Sequence, residues 1–247
     1  SDSFSYFEGL GDGTFLTKVD YSTGIESYPW GIFAGDFDNN GNLDVVVVTY
    51  GNYNLSYFAG NGDGTFQSRV EYRAGYRPWT IHAKDFDNDG YLDVITSNEY
   101  TFSYLKGNGD GTFQSKVDYA TRGGPYALSA GDFNKDGKED VVTANRREGT
   151  FSYFPNTGGG TFRGKADYTV GDGPWGIFSG DFDNNGKLDV VVSNCLSDTF
   201  SYFSGNGNDT FQDKVDYAAG NCPYSILAGD FNNDGKLDVV TSDYFNN

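Results

Sequence analysis

Short apolar runs alternate with polar, glycine-rich segments along the chain, and the whole pattern repeats about every 49 residues. In one repeat, the unbroken valine run 45–48 is typical of a strand buried on both faces, whereas 69–74 alternates like a strand with one face in water. Together with 30–37 and the apolar segment 55–59, we predict four strands per repeat. Four antiparallel strands in a repeat of this length are typical of one propeller blade.

Other signatures keep the same period. A Ser-Tyr pair and a glycine-rich turn ending in Thr-Phe each occur five times, and an acidic loop opens at positions 36, 85, 132, 181 and 230. We therefore predict an all-β fold, a five-bladed β-propeller in which residues 1–247 form a single domain. The acidic loops occupy 36–44, 85–93, 132–140, 181–189 and 230–238. A linear solenoid is the structural alternative.

The two ends of the sequence complement each other. The chain begins with strands three and four of one repeat and stops after strands one and two of another. We predict that these N-terminal and C-terminal half-blades pair to complete the fifth blade. Such pairing would remove the exposed strand edges of an open array.

Charge and composition argue against two classes of function, nucleic-acid binding and membrane insertion. A formal net charge of -18 argues against nucleic-acid binding, because contact with phosphates needs a basic surface. No run of about 18 apolar residues occurs, so we expect no membrane insertion. The sequence starts at Ser1 and contains no methionine, which is typical of a mature or excised domain.

Each acidic loop carries oxygen-bearing side chains at positions one, three, five and nine, with glycine at position six. In the first loop these are Asp36, Asp38, Asn40 and Asp44, and the loop turns at Gly41. Calcium takes roughly six to eight oxygen ligands, and a loop of this kind can fold them inward. The loops resemble the FG-GAP, or VCBS-type, repeats of integrin α-subunit propellers and of many secreted bacterial and fungal propeller proteins.

The resemblance implies an extracellular protein with up to five structural calcium ions, each bound by these side chains and by the backbone carbonyl of position seven. The implied ligands are Asp36, Asp38, Asn40, Asn42 and Asp44; Asp85, Asp87, Asp89, Tyr91 and Asp93; Asp132, Asn134, Asp136, Lys138 and Asp140; Asp181, Asp183, Asn185, Lys187 and Asp189; and Asp230, Asn232, Asp234, Lys236 and Asp238. The third loop is the least favourable, because Asn134 replaces a carboxylate and Lys138 adds positive charge. The alternative is that Asp, Asn and Gly serve only as turn formers.

The face opposite the acidic loops carries the segments that vary most between repeats, and such loops often bind ligands. Five aromatic residues on that face are predicted to offer platforms for sugar rings: Trp30, Trp79, Tyr126, Trp175 and Tyr224. Arg77, Arg122 and Arg146, with Arg73 and Arg147 nearby, are predicted to bind a carboxylate or sulfate on the ligand. The alternatives are packing between blades for the aromatic residues and an ordinary solvated rim for the arginines.

The sequence predicts a secreted, calcium-stabilised lectin or binding module whose partner is a glycan or polysaccharide, neutral or anionic. We also predict a disulfide between Cys195 and Cys222, which fall in connections on the same face. The alternatives are a protein-adhesion module of the integrin type, a polysaccharide lyase-like enzyme, and an engineered repeat scaffold without a selected ligand. We expect no catalysis, because no nucleophile, base and orienting group stand out, and His82 is expected to be a packed or tunnel-lining residue.

Overall fold

The computed structural model describes residues 2–121 and 123–244, and the regular structure within them consists of 20 β-strands. The strands form four sheets of four strands and two sheets of two strands. No helix in these two ranges is long and apolar enough to cross a membrane. The prediction of an all-β fold with four antiparallel strands per repeat is confirmed for the four complete repeats.

The strands are numbered in chain order. The N-terminal half-blade contains β1 (Ser3–Tyr6) and β2 (Val19–Ser22). Blade one contains β3 (Pro29–Gly35), β4 (Asp44–Thr49), β5 (Asn54–Phe58) and β6 (Val70–Arg73). Blade two contains β7 (Thr80–Lys84), β8 (Asp93–Ser97), β9 (Thr101–Leu105) and β10 (Val117–Ala120). Blade three contains β11 (Pro125–Gly131), β12 (Asp140–Asn145), β13 (Thr150–Phe154) and β14 (Ala166–Thr169). Blade four contains β15 (Pro174–Gly180), β16 (Asp189–Asn194), β17 (Thr199–Phe203) and β18 (Val215–Ala218). The C-terminal half-blade contains β19 (Pro223–Gly229) and β20 (Asp238–Asp243).

Burial within a blade follows the pattern of the sequence. In blade one, the second strand β4 is buried along its whole length, whereas the fourth strand β6 is mostly exposed. Val46 of β4 pairs with Phe33 on one side and with Tyr57 on the other. Because the second strand is covered by its neighbours and by adjacent blades, both of its faces are apolar.

The hydrophobic core lies between adjacent blades. Phe151 of blade three is fully buried, and its ring centroid lies 4.8 Å from that of Phe203 and 5.3 Å from that of Phe211, both in blade four. Phe102 of blade two meets Phe162 of blade three in the same way, at 5.3 Å. These edge-to-face contacts are favourable, so each blade depends on the next one for its burial.

A close contact between glycine and leucine also recurs at the junctions. A Cβ atom on Gly35 would lie only 2.7 Å from Leu92 Cδ1, so a side chain at this position would have to displace the end of the leucine. The same pairing joins Gly131 to Leu188 and Gly180 to Leu237. Blade two differs, because Lys84 takes the glycine position and its Nζ lies 2.6 Å from Oε1 of Glu139, which replaces the leucine.

The two half-blades each keep an unpaired strand edge within the described ranges. There, β1 pairs only with β2, and β20 pairs only with β19. Residues of β20 are partly or fully exposed, unlike those of the other second strands. The number of blades and the closure of the fifth blade therefore stay predictions.

A disulfide joins Cys195 to Cys222, two residues separated by 27 positions. Cys195 directly follows β16 and Cys222 directly precedes β19. The bond therefore ties the C-terminal half-blade to blade four.

Replacing both cysteines, Cys195→Ser with Cys222→Ser, is expected to lower the free energy of unfolding by about 3 kcal/mol, because the crosslink restricts the unfolded chain. Urea denaturation measures this change. Wild-type protein treated with a reductant is the matched control and should lose a similar amount. A double variant as stable as the oxidised wild type would contradict the prediction.

Candidate functional site

The aspartate at position nine anchors each acidic loop to its blade. In the first loop, Asp44 is fully buried, and its Oδ2 accepts hydrogen bonds from the Phe37 N–H at 2.9 Å and the Tyr57 hydroxyl at 3.0 Å. Its Oδ1 accepts a third bond from the Gly60 N–H at 2.8 Å. The equivalent donors bind the equivalent carboxylates Asp93, Asp140 and Asp189. A loop of fixed shape is thus built into each complete blade.

The loop backbone draws positions one, three and five together. The Asn40 N–H donates to Oδ1 of both Asp36 and Asp38, at 3.1 Å each, and the Gly41 N–H donates to Asp36 Oδ2 at 3.0 Å. Gly41 has a φ of 87°, a conformation that favours glycine. This geometry explains the glycine at position six of every copy.

Burial, more than neighbouring charge, raises the pKa of several loop carboxyls. Burial raises the pKa of Asp93 to about 6 and that of Asp140 to about 6. In the first loop, burial and the nearby charges of Asp44 and Asp36 raise the pKa of Asp38. A bound cation would offset the repulsion between these groups.

In the part of the chain that the structure describes, three loops each gather carboxylates closely enough to bind a metal ion. One oxygen from each residue lies within 4.8 Å of the others in three groups: Asp36, Asp38 and Asp44; Asp85, Asp87 and Asp89; Asp181, Asp183 and Asp189. These hard oxygen donors fit calcium. In the third loop, Asn134 supplies an amide at position three and Lys138 Nζ lies 2.8 Å from Asp136 Oδ2. The first, second and fourth loops therefore fit a divalent cation best.

The five aromatic residues predicted on the opposite face form one continuous row. Centroid distances are 4.9 Å from Trp30 to Trp79, 4.7 Å from Trp79 to Tyr126, 4.3 Å from Tyr126 to Trp175, and 3.8 Å from Trp175 to Tyr224. Trp30, at one end, is 56% exposed, whereas the other four are half-buried. The structure brings the five together and packs them largely against one another, so Trp30 is the most accessible member.

Two of the predicted arginines lie beside this row. The Cζ of Arg146 is 5.4 Å from the ring centroid of Tyr126 and 4.6 Å from that of Trp175. Arg77 lies 5.5 Å from the ring centroid of Tyr50, a neighbour of the row. Of the others, Arg147 pairs with Glu99, Arg73 donates to the carbonyl of Asn52, and Arg122 falls outside the described residues.

The structure also shows a repeated groove that the sequence reasoning missed. It lies on the outer rim, between the fourth strand of one blade and the segment after the Thr-Phe turn of the next. The groove beside the N-terminal half-blade has a volume of about 790 Å³, and those between blades one and two and between blades three and four have about 420 Å³ each. Each is lined by a tyrosine, a phenylalanine and a glutamine: Tyr21, Phe66 and Gln67; Tyr72, Phe113 and Gln114; Tyr168, Phe211 and Gln212. The recurring Phe-Gln dipeptide was the available sequence signal.

Solved structures share this architecture at low sequence identity. An Agrocybe aegerita lectin that recognises non-reducing terminal N-acetylglucosamine is 19% identical, with a TM-score of 0.67 over 96% of this chain and 68% of the lectin chain. A putative 6-phosphogluconolactonase from Bacteroides fragilis is 15% identical, with a TM-score of 0.67 over 97% of this chain and 68% of that chain. A functionally unknown protein from Desulfotomaculum acetoxidans is 13% identical, with a TM-score of 0.67 over 97% of this chain and 69% of its own. These likenesses concern the fold alone.

The repeats themselves identify the family. No curated protein matches the chain in sequence. FG-GAP-like repeats match residues 1–47, 38–96, 85–143 and 132–192. Successive matches overlap at an acidic loop, so the loops are the part that the matches share. The chain belongs to the FG-GAP-like repeat family.

Proposed function

We propose that this chain is a secreted, calcium-stabilised module that binds carbohydrate at the junctions between its blades. The observation that carries this proposal is the groove that recurs on the outer rim with the same tyrosine, phenylalanine and glutamine. Repetition suits a multivalent binder better than a single reaction centre, because several weak sites on one rigid body give avidity. The shared fold with an N-acetylglucosamine-recognising lectin supports the same function.

The groove beside the N-terminal half-blade has the chemistry that a sugar needs. The rings of Tyr21 and Phe66, with centroids 5.1 Å apart, form an apolar floor. Gln67 lines the wall, and Arg69 Nε donates to Glu71 Oε1 at 3.0 Å beside it. Amide, guanidinium and carboxylate groups can donate to and accept from sugar hydroxyls, while the apolar floor can contact the face of the ring.

Two further features support the secreted and calcium-bound parts of the proposal. The first, second and fourth acidic loops fit a divalent cation. The disulfide between Cys195 and Cys222 belongs to an oxidising compartment, where such bonds form and persist.

A glycan array in the presence of calcium tests the function, followed by calorimetry with the sugar that binds best. Replacing two groove residues, Gln67→Ala with Gln212→Ala, should weaken binding at their grooves about tenfold, the effect of roughly one lost hydrogen-bonding group. Trp30→Ala is the matched control, because it alters the aromatic row and leaves the grooves intact. Weaker binding by Trp30→Ala, with unchanged binding by the groove variant, would place the sugar site at the aromatic row. An array without any bound glycan would contradict the proposal.

We also propose that the two half-blades pair within one chain to complete a fifth blade. In the described residues, Asp238 accepts a hydrogen bond only from the Phe231 N–H, at 3.1 Å. The complete blades supply two further donors to this aspartate, and their counterparts here are the hydroxyl of Tyr6 and the N–H of Gly9. Pairing of β20 with β1 would bring both donors to Asp238.

Packing at the two ends supports the same pairing. Phe7 is 52% exposed and Phe15 is 67% exposed, whereas their counterparts Phe203 and Phe211 are 3% and 9% exposed. At the other end, Phe200 of blade four lines an open cavity of about 290 Å³, although its counterpart in blade three is fully buried. Closure would place Phe7 and Phe15 against Phe200, as at the other junctions.

A further inference from the structure

The residue that directly follows the third strand faces the acidic loop of its own blade. In blade four this residue is Ser204, and its Oγ donates to Asp183 Oδ2 at 3.3 Å. In blade two it is Lys106, whose Nζ contacts Asp87 Oδ2 and lies 2.7 Å from Asp89 Oδ2. A position outside the loop therefore reaches two of the carboxylates that are candidate metal ligands.

Lys106 places a positive charge between these two carboxylates. The Asp87 side chain is almost fully buried, and the lysine ammonium can donate up to three hydrogen bonds. Within residues 2–121 and 123–244, no lysine or arginine forms a salt bridge with the aspartates of the first or fourth loop. Among the described residues, the second loop is therefore the one whose aspartates form salt bridges with a lysine from outside the loop.

The lysine accompanies an additional carboxylate. Position five is Asn40 in the first loop and Asn185 in the fourth, but it is Asp89 in the second. The residue after the third strand is Ala59 in blade one, which has no polar side-chain group. The additional negative charge and the ammonium thus occur in the same blade and in direct contact.

We propose that Lys106 is a tethered cation that holds the second acidic loop together without a divalent ion and competes with such an ion for Asp87 and Asp89. Calcium must displace the ammonium to reach both carboxylates, so the second loop has a lower affinity for calcium than its four carboxylates would otherwise give. This inference rests on calcium binding by the other loops, which is part of the proposed function.

Calcium titration of the full chain by calorimetry tests this inference, with wild type compared with Lys106→Ser. Serine occupies the equivalent position in blade four, so the fold accommodates it. The variant should bind one additional calcium ion per chain, or bind at one site at least about tenfold more tightly. Lys116→Ser is the control, because Lys116 pairs with Asp118 of the same blade, away from the loop.

Thermal unfolding gives a second readout that separates a tethered cation from a simple structural salt bridge. Lys106→Ser should unfold at a lower temperature than wild type in a chelator, and calcium should restore most of the difference. An equal loss with and without calcium, together with unchanged calcium binding, would overturn the inference. If neither protein binds calcium, the proposed calcium loops fail as well; if wild type binds calcium and the variant binds identically, only the role of Lys106 fails.

Discussion

Chelation of divalent cations is expected to lower the temperature of unfolding before it affects ligand binding. An ion that binds only the folded state stabilises it by roughly 2.7 kcal/mol when present at a hundred times its dissociation constant. For a chain of this size, each kcal/mol corresponds to roughly 2–4 °C. The unfolding temperature should therefore fall by several degrees for each ion removed. The physical reason is that the carboxylates of a loop, such as Asp36, Asp38 and Asp44, repel one another when no cation is bound.

Scanning calorimetry with and without a chelator measures the unfolding temperature. A separate titration with the glycan, run well below the unfolding temperature, measures glycan affinity with and without the chelator. Re-addition of calcium should restore the unfolding temperature, and magnesium, which prefers a stricter octahedral geometry, should restore less. Glycan affinity at low temperature should change little, because the rim grooves contain none of the aspartates that form the three candidate metal sites. An unfolding temperature that is indifferent to the chelator would contradict calcium binding.

Phe15→Ala is expected to cost about 3–4 kcal/mol of unfolding free energy if the half-blades pair, because the ring would then be buried against blade four. Phe211→Ala is the matched control, since Phe211 is the counterpart of Phe15 and is 9% exposed. Leu196→Ala, at a residue 69% exposed, should change stability by less than about 0.5 kcal/mol.

Urea unfolding of these variants, with gel filtration of each, decides between the possible arrangements of the ends. A monomer in which Phe15→Ala costs as much as Phe211→Ala supports closure within one chain. A negligible cost in a monomer would mean that the ends stay open. A cost that appears only in a dimer would mean that the half-blades of two copies meet.

The strands and acidic loops could be predicted because each is specified by local sequence and repeated in register. The predicted strand that contains the valine run 45–48 corresponds to β4 (Asp44–Thr49), and the predicted strand 55–59 to β5 (Asn54–Phe58). A buried strand needs apolar residues on both faces, and a tight loop needs glycine at one position, so both features can be recognised from the local sequence pattern. Because the loop and its flanking strand occur five times in register, the pattern is easily distinguished from a chance match.

The contacts between distant segments could not be predicted in the same way. Nothing in the local sequence shows that Lys106 reaches Asp87, or that Arg147 pairs with Glu99 of the preceding blade. Such contacts depend on the orientation of long side chains after the blades have packed. The rim grooves are of the same kind, because each forms from two segments that meet only at a junction.

The ion pair between Lys84 and Glu139 has a consequence for how similar blades find their proper neighbours. Repeats that resemble one another can assemble in the wrong order while the chain folds. If blade two met a blade that carries leucine at this position, Lys84 would lose its partner, and Glu139 beside a glycine would lose its partner as well. Because Lys84 keeps access to water, this loss amounts to about 1 kcal/mol or less. One junction with a charged pair among junctions with glycine and leucine thus disfavours wrong neighbours for blades two and three at that junction.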